Sequence, residues 1–133
     1  MILRDRLLRM LLELIAIDAP SRQEKAVAER VCQELAALGI QAEEDDAAAA
    51  VGGNSGNLLA NVPATVASAP TLLLNAHLDT VQPTHGLKPV VSGDLVKSDG
   101  STILGADDRS GVAIILEVIR SLLEDKIPHG KII

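Results

Sequence analysis

The chain is 133 residues long, enough for one domain, and 47% of it is hydrophobic, enough for a packed core. Its 12 basic side chains are outweighed by 18 acidic ones, giving a net charge of -6; nucleic-acid backbones and anionic membrane surfaces select a basic face, so neither is expected as a partner. Phe, Trp and Tyr are all absent, so the core must be aliphatic and no aromatic platform exists for stacking a base or a substrate ring.

Leu3, Leu7, Leu8, Leu11, Leu14 and Ile15 recur at helical spacing and predict a first helix within Met1 to Ile17. Arg4, Asp5, Arg6, Arg9 and Glu13 interrupt this stretch and no small-residue cleavage site follows, so it does not read as a signal peptide. No run of about 18 uncharged apolar residues occurs anywhere to span a membrane. Asp18-Ala19-Pro20 breaks the helix, and Ser21-Arg22-Gln23-Glu24 has the form of a capping box. A second helix runs through Val27, Val31, Leu35 and Leu38, with Gly39 placed as its left-handed terminator. Cys32 lies among Val31 and Leu35 without a polar activator, as a core residue does. It is the single cysteine, which excludes an internal disulfide; a soluble cytoplasmic protein is expected.

A short strand is expected near Ile40 to Glu44, then a loop over the small, Gly-rich Ala47 to Gly56. Asn57 to Val62 and Thr71 to Ala76 read as strands, and Val90-Val91, Ser92-Gly93-Asp94 and Leu95-Val96-Lys97 read as a hairpin. A further helix begins after Asp107 and Asp108, with Val112, Ile115, Leu116, Ile119 and Leu123 on its apolar face. Pro128 and Gly130 stop it, and Lys131-Ile132-Ile133 has the character of a strand just begun, so the natural protein is expected to continue. The interleaving predicts an α/β fold, with helices packed on a mostly parallel, mixed and largely buried sheet.

Two polar constellations follow apolar elements. The strand Thr71 to Ala76 runs into His77-Leu78-Asp79-Thr80-Val81, which places His77 and Asp79 at its carboxyl end, where open α/β sheets hold ligands. Two residues apart in extended chain, they project to one side. A metal-bound imidazole donates its second N–H to a carboxylate, and His77 with Asp79 can supply that pair; a chance His-x-Asp at a strand end has the same spelling. Asp107 and Asp108 stand before the last helix in Gly105-Ala106-Asp107-Asp108-Arg109-Ser110-Gly111. One acid suffices for a helix N-cap. A second with both oxygens free can bridge two cations about 3.5–4 Å apart. His85, in a polar loop, His129, in the turn before the last strand, and Glu43 to Asp46, a solvated strand end, are left outside the site.

His77-Leu78-Asp79-Thr80-Val81, followed 30 residues after His77 by Asp107 within Gly-Ala-Asp-Asp, resembles the co-catalytic two-zinc peptidases of the peptidase T type. Gly52-Gly53-Asn54-Ser55-Gly56-Asn57-Leu58, Ser98-Asp99-Gly100 and Ile127-Pro128-His129-Gly130 support the resemblance in the expected order, from Leu3 to Ile133. The resemblance implies that His77 binds one zinc, that Asp107 bridges both, that Asp79 orients His77, and that the peptide between Asp107 and Asp108 is cis. It implies hydrolysis of short peptides from the N-terminal end by the complete enzyme. Residues 1–133 would then be the N-terminal portion of the catalytic domain, without its glutamate pair and without the lid and dimerisation domain. A chain so placed is expected to be inactive, to hold zinc weakly or not at all, and to self-associate. N-acyl amino-acid deacylases and carboxypeptidases share the metal-site motif and remain alternatives, as does a non-catalytic binding or assembly module.

Overall fold

The computed structural model describes all of residues 1–133. Helix α1 (Arg4–Ala16) buries Met10, Leu14 and Ile15, and α2 (Lys25–Ala37) buries Val27, Ala28, Val31 and Leu35, in each case the apolar stripe of the helical period. Leu14 and Val27 are fully buried, and each such side chain contributes roughly 1.5–3 kcal/mol relative to its exposed state. Gly39 ends α2 as expected: at φ 76° it turns the chain so that its N–H reaches Ala36 O and that of Ile40 reaches Leu35 O.

The start of α2 differs from expectation. Ser21 does not cap the helix, since its hydroxyl is donated to Asp79, while Glu24 accepts the N–H of Arg22 at 2.6 Å. The cap comes instead from a distant loop, with Asn54 Oδ1 accepting Lys25 N–H at 3.0 Å. A second difference follows along the chain. Strand β1 (Ala42–Glu44) leads into a helix, α3 (Ala47–Val51), where a loop was expected. Alanine is the strongest helix former, Asp45 Oδ1 accepts Ala47 N–H at 3.0 Å, and Gly52 ends the turn in the left-handed region. The acidic run is likewise more than a solvated strand end. Glu44 accepts bonds from Lys25, Ser55 and Gly56, and Asp45 from Ala47 and from both N–H groups of Asn57, so together they fasten this excursion to the sheet.

The sheet is mixed. Strand β2 (Leu58–Ala60) pairs antiparallel with β1, Ala42 opposite Ala60. Its continuation at Val62 pairs antiparallel with Ile132, and Ile132 pairs on its other side, in parallel, with Leu72. Hydrogen bonds from Leu72 N–H to Lys131 O, Leu74 N–H to Ile133 O and Ile133 N–H to Leu72 O complete that parallel pairing. Residues 131–133 therefore lie between the continuation of β2 and residues 72–74, joined to both through bridges at Ile132. Leu58, Ala60, Leu74 and Ala76 face the helices, whereas Leu59 and Leu73 on the opposite face are 47% and 72% exposed. The sheet is covered by helices on one side. Strands β3 (Pro89–Ser92) and β4 (Leu95–Ser98) form the separate hairpin turned at Gly93 and Asp94.

Helix α4 (Ala106–Glu124) packs on α1 and buries Val112, Ala113, Leu116 and Ile119 against the core. Between them runs a chain of ion pairs. Glu117, almost completely buried, accepts Arg6 Nε at 2.6 Å, Leu3 N–H at 2.7 Å and Ser121 Oγ–H at 3.1 Å. Arg6 also reaches Glu124 at 2.7 Å, and Arg120 joins Glu124 to Glu34 on α2, which pairs with Arg30. This network sets α4 on α1 and α2, and the first residues of α4 carry the polar cluster described next. No helix is long and apolar enough to cross a membrane.

Candidate metal centre

His77 follows the extended residues 72–74 that pair with residues 131–133, at half exposure, with its two ring nitrogens facing different carboxylates. Nδ1 lies 2.8 Å from Asp79 Oδ1, and Nε2 lies 3.2 Å from Asp107 Oδ1. Burial lowers the imidazole pKa, but the hydrogen bonds with Asp107 and Asp79 outweigh it and hold the value above the ordinary one. The hydroxyl of Ser21 is the main influence holding the Asp79 carboxyl below its usual range, and His77 adds to it. Asp79 thus accepts from Ser21 on Oδ2, while His77 Nδ1 faces its Oδ1 and, at 3.2 Å, its backbone O.

The adjacent acids divide two tasks between them. Gly105, at φ 70°, brings the chain so close to Thr80 and Thr84 that a Cβ there would press on both threonine methyl groups. After it, Asp107 and Asp108 have non-helical φ/ψ, and the peptide between them is cis, as the resemblance implied. Asp108 Oδ1 accepts the N–H of Gly111 at 3.1 Å and so caps the regular part of α4. The side chain of Asp107 is 97% exposed and its sole hydrogen-bond neighbour is His77. The cap and the site are both present, on neighbouring residues.

The donor set fits a metal. With Nδ1–H given to Asp79, Nε2 carries a lone pair that faces a carboxylate oxygen at 3.2 Å, an arrangement that calls for a proton or a cation between them. Two ligands each about 2.0–2.2 Å from a tetrahedral zinc stand about 3.3–3.6 Å apart, near the separation of this pair. Asp79 cannot join them, because it sits on the opposite edge of the ring. No three His, Cys, Asp or Glu side chains converge to hold an ion, so the chain offers two ligands to one. His85 is exposed, and His129 Nδ1 is turned to Gly130 O at 2.7 Å. The Cys32 thiol has its pKa raised by burial, which opposes thiolate chemistry. Behind His77 and Asp79 an apolar cleft of about 750 Å³ separates the sheet from α2 and α4.

Two residues near the site escaped the sequence reading. Ser21 was assigned to a helix cap. Arg109, two residues after Asp107, is fully buried and donates Nη1–H to Leu14 O at 2.6 Å, while its Nε and Nη2 have no partner. Burial pulls its pKa down, against the opposing influence of Asp79, Asp18 and Glu24. Nothing in the spacing of Asp107-Asp108-Arg109 distinguishes this residue from an exposed helix arginine; only the packing of α4 against the end of α1 places it.

Comparison with known proteins is consistent across methods. The model of peptidase family M28 matches residues 57–133. The protein YqjE of Bacillus subtilis is 39% identical over 132 residues, covering 99% of this chain and 35% of its own length. The crystal structure of aminopeptidase PepT from Bacillus cereus superposes with a TM-score of 0.94 at 39% identity, over 98% of this chain and 35% of that one. A tripeptidase from Staphylococcus aureus gives 0.92 at 41% identity, over 99% and 35%. The chain spans about a third of the length of the relatives it matches.

Proposed function

Since the chain belongs to peptidase family M28 and is peptidase T-like in fold, we propose that the whole protein is a zinc-dependent exopeptidase that removes residues from the N-terminal end of short peptides. The observation that carries this reading is the placing of His77 Nε2 and Asp107 Oδ1 at 3.2 Å with Nδ1 already committed to Asp79. His77 and Asp107 would hold the zinc, and Asp79 would fix the imidazole tautomer and raise its basicity. Bound zinc would supply Lewis acidity toward a scissile carbonyl and a water molecule near neutral pH. The exposed Asp107 carboxylate is open to two cations because Asp108, not Asp107, is spent on capping α4.

On this reading residues 1–133 are the N-terminal portion of the catalytic domain, and the general base, the other ligands and a lid domain belong to the rest of the protein. The two structural relatives, an aminopeptidase and a tripeptidase, favour peptides over N-acyl amino acids. The single Cys32 suits a cytoplasmic setting. The test is an assay of the whole protein with a tripeptide and an acetylated amino acid, before and after chelation and zinc restoration. Tripeptide hydrolysis should be lost on chelation, recover with zinc, and fall by about a thousandfold or more in Asp107→Ala. A variant lacking Asp107 that kept its activity and its zinc would remove the bridging role. For residues 1–133 alone we expect weak zinc binding in titration calorimetry, abolished by His77→Ala, since two ligands are fewer than the three or four of a zinc site. Tight binding that survived that substitution would take His77 out of the site.

A further inference from the structure

We propose that Ser21 is a positioning residue of the candidate centre: its hydroxyl anchors one oxygen of Asp79 so that the other holds the Nδ1–H tautomer of His77. The inference rests on the reading of His77 as a metal ligand, but its geometry is separate from that reading. Ser21 Oγ donates to Asp79 Oδ2, while His77 Nδ1 faces Asp79 Oδ1 at 2.8 Å and the Asp79 backbone O at 3.2 Å. A carboxylate rotates about its side-chain bonds unless something holds it. With one oxygen fixed by Ser21, the second stays beside the imidazole and strengthens the hold of the backbone carbonyl on Nδ1–H.

The support under Ser21 is itself rigid. Pro20 and Thr80 form a parallel bridge; Ser21 N–H is given to Thr80 O at 3.3 Å and Thr80 N–H to Ala19 O at 3.0 Å. Thr80 is buried, so this bridge sits on the core and not on a mobile surface. On the other side, Arg22 O accepts Asn54 N–H at 3.1 Å and Arg22 N–H is given to Glu24, which pins the residue after Ser21 as well. The serine is therefore presented to Asp79 by backbone contacts from two other segments, and it gives up the helix cap that its sequence position suggested.

The consequence concerns which ring nitrogen is protonated. Neutral His77 has a carboxylate at each nitrogen, Asp79 at Nδ1 and Asp107 at Nε2, and these compete for one proton. The backbone O of Asp79 also faces Nδ1 at 3.2 Å, and a fixed Asp79 carboxylate adds to it, favouring Nδ1–H and leaving the Nε2 lone pair facing Asp107, the form a metal requires. Without the serine hydroxyl, Asp79 turns away part of the time and Nε2–H gains.

Long-range proton–nitrogen correlation spectra of the whole protein, isotope-labelled at histidine and recorded above the pH at which His77 titrates, read the tautomer directly. The wild type should show Nδ1–H, Ser21→Ala should shift the ring toward Nε2–H, and Ser21→Thr, which keeps the hydroxyl, should restore it. Thermal unfolding of the alanine variant should stay near that of the wild type, because an exposed hydroxyl is removed and not a core group. If Ser21→Ala does not fold, Ser21→Cys keeps the volume with a poor donor and should show the same shift. An unchanged tautomer in the folded alanine or cysteine variant overturns the proposal. Adding Zn²⁺ separates the two readings. If the ring is insensitive to zinc while Ser21→Ala still changes the tautomer, the metal reading fails and the serine stands. If zinc moves the ring alike in every variant and the tautomer does not depend on Ser21, the serine fails and the metal reading stands. Where both hold, zinc affinity should fall about tenfold in Ser21→Ala, the low end for losing a group that orients a ligand.

Discussion

Glu117→Gln should destabilise the chain by about 3 kcal/mol near neutral pH and abolish a defined part of its acid sensitivity. The hydrogen bonds and charge of Arg6 act on Glu117 first, with the Leu3 N–H and Ser121 hydroxyl adding to them against the cost of burial. Together they bring its pKa from 4.5 down to about 2. That difference corresponds to about 3 kcal/mol of preference for the ionised form in the folded state. Glu117 has a side-chain exposure of only 3%, against 20% for Arg6, so solvent screening takes little from the figure. Because the folded pKa is depressed, the contribution is complete above about pH 4.5 and is lost as pH falls from there toward about 2. Arg6 moves in the opposite sense, its pKa raised chiefly by Glu117, as a true pair requires. Glutamine keeps the shape but leaves the Arg6 charge without a counter-charge. With no aromatic residue to report unfolding, urea titrations followed by far-ultraviolet circular dichroism are the assay. The difference in stability between wild type and Glu117→Gln should be about 3 kcal/mol from neutral pH down to about pH 5, and should shrink toward zero near pH 2. A difference below about 0.5 kcal/mol at neutral pH, or one that does not change with pH, would refute the assignment.

Gly111→Ala would place a Cβ inside the contact distance of the Asp108 carboxylate and break the cap of α4. A loss of about 1 kcal/mol, or a fall of roughly 3–4 °C in the midpoint of thermal unfolding, is expected, and an unchanged midpoint would show that Asp108 is not the cap. The open face of the sheet, with Leu73 72% and Leu59 47% exposed, should make residues 1–133 self-associate. Light scattering should show oligomers in dilute buffer and fewer of them in Leu73→Lys, whereas a monodisperse monomer with sharp cooperative unfolding would contradict this.

Sequence alone determined what depends on neighbours a few residues away. The apolar stripes of α1, α2 and α4 follow from helical spacing, the turn at Gly39 from the need for a left-handed residue, and the hairpin from the Ser92-Gly93-Asp94 turn between Val90-Val91 and Leu95-Val96. The two polar constellations were legible for the same reason, since each is a local pattern at the end of an apolar element. Local averaging also misled: the Gly-rich stretch hid the alanine turn of α3, and Ser21 with Glu24 has the spelling of a cap that the chain does not use. Tertiary structure decided everything that joins distant segments. Only it could assign Ser21 to Asp79 across 58 residues, bring His77 to Asp107 across 30, and bury Arg109 against Leu14 across 95. It also set residues 131–133 between the continuation of β2 and residues 72–74, a pairing that no local propensity encodes. A side chain's donor partner is chosen by which groups the packed core brings within 3 Å, and two acids spelled alike acquire different roles when one faces the helix N-terminus and the other faces an imidazole.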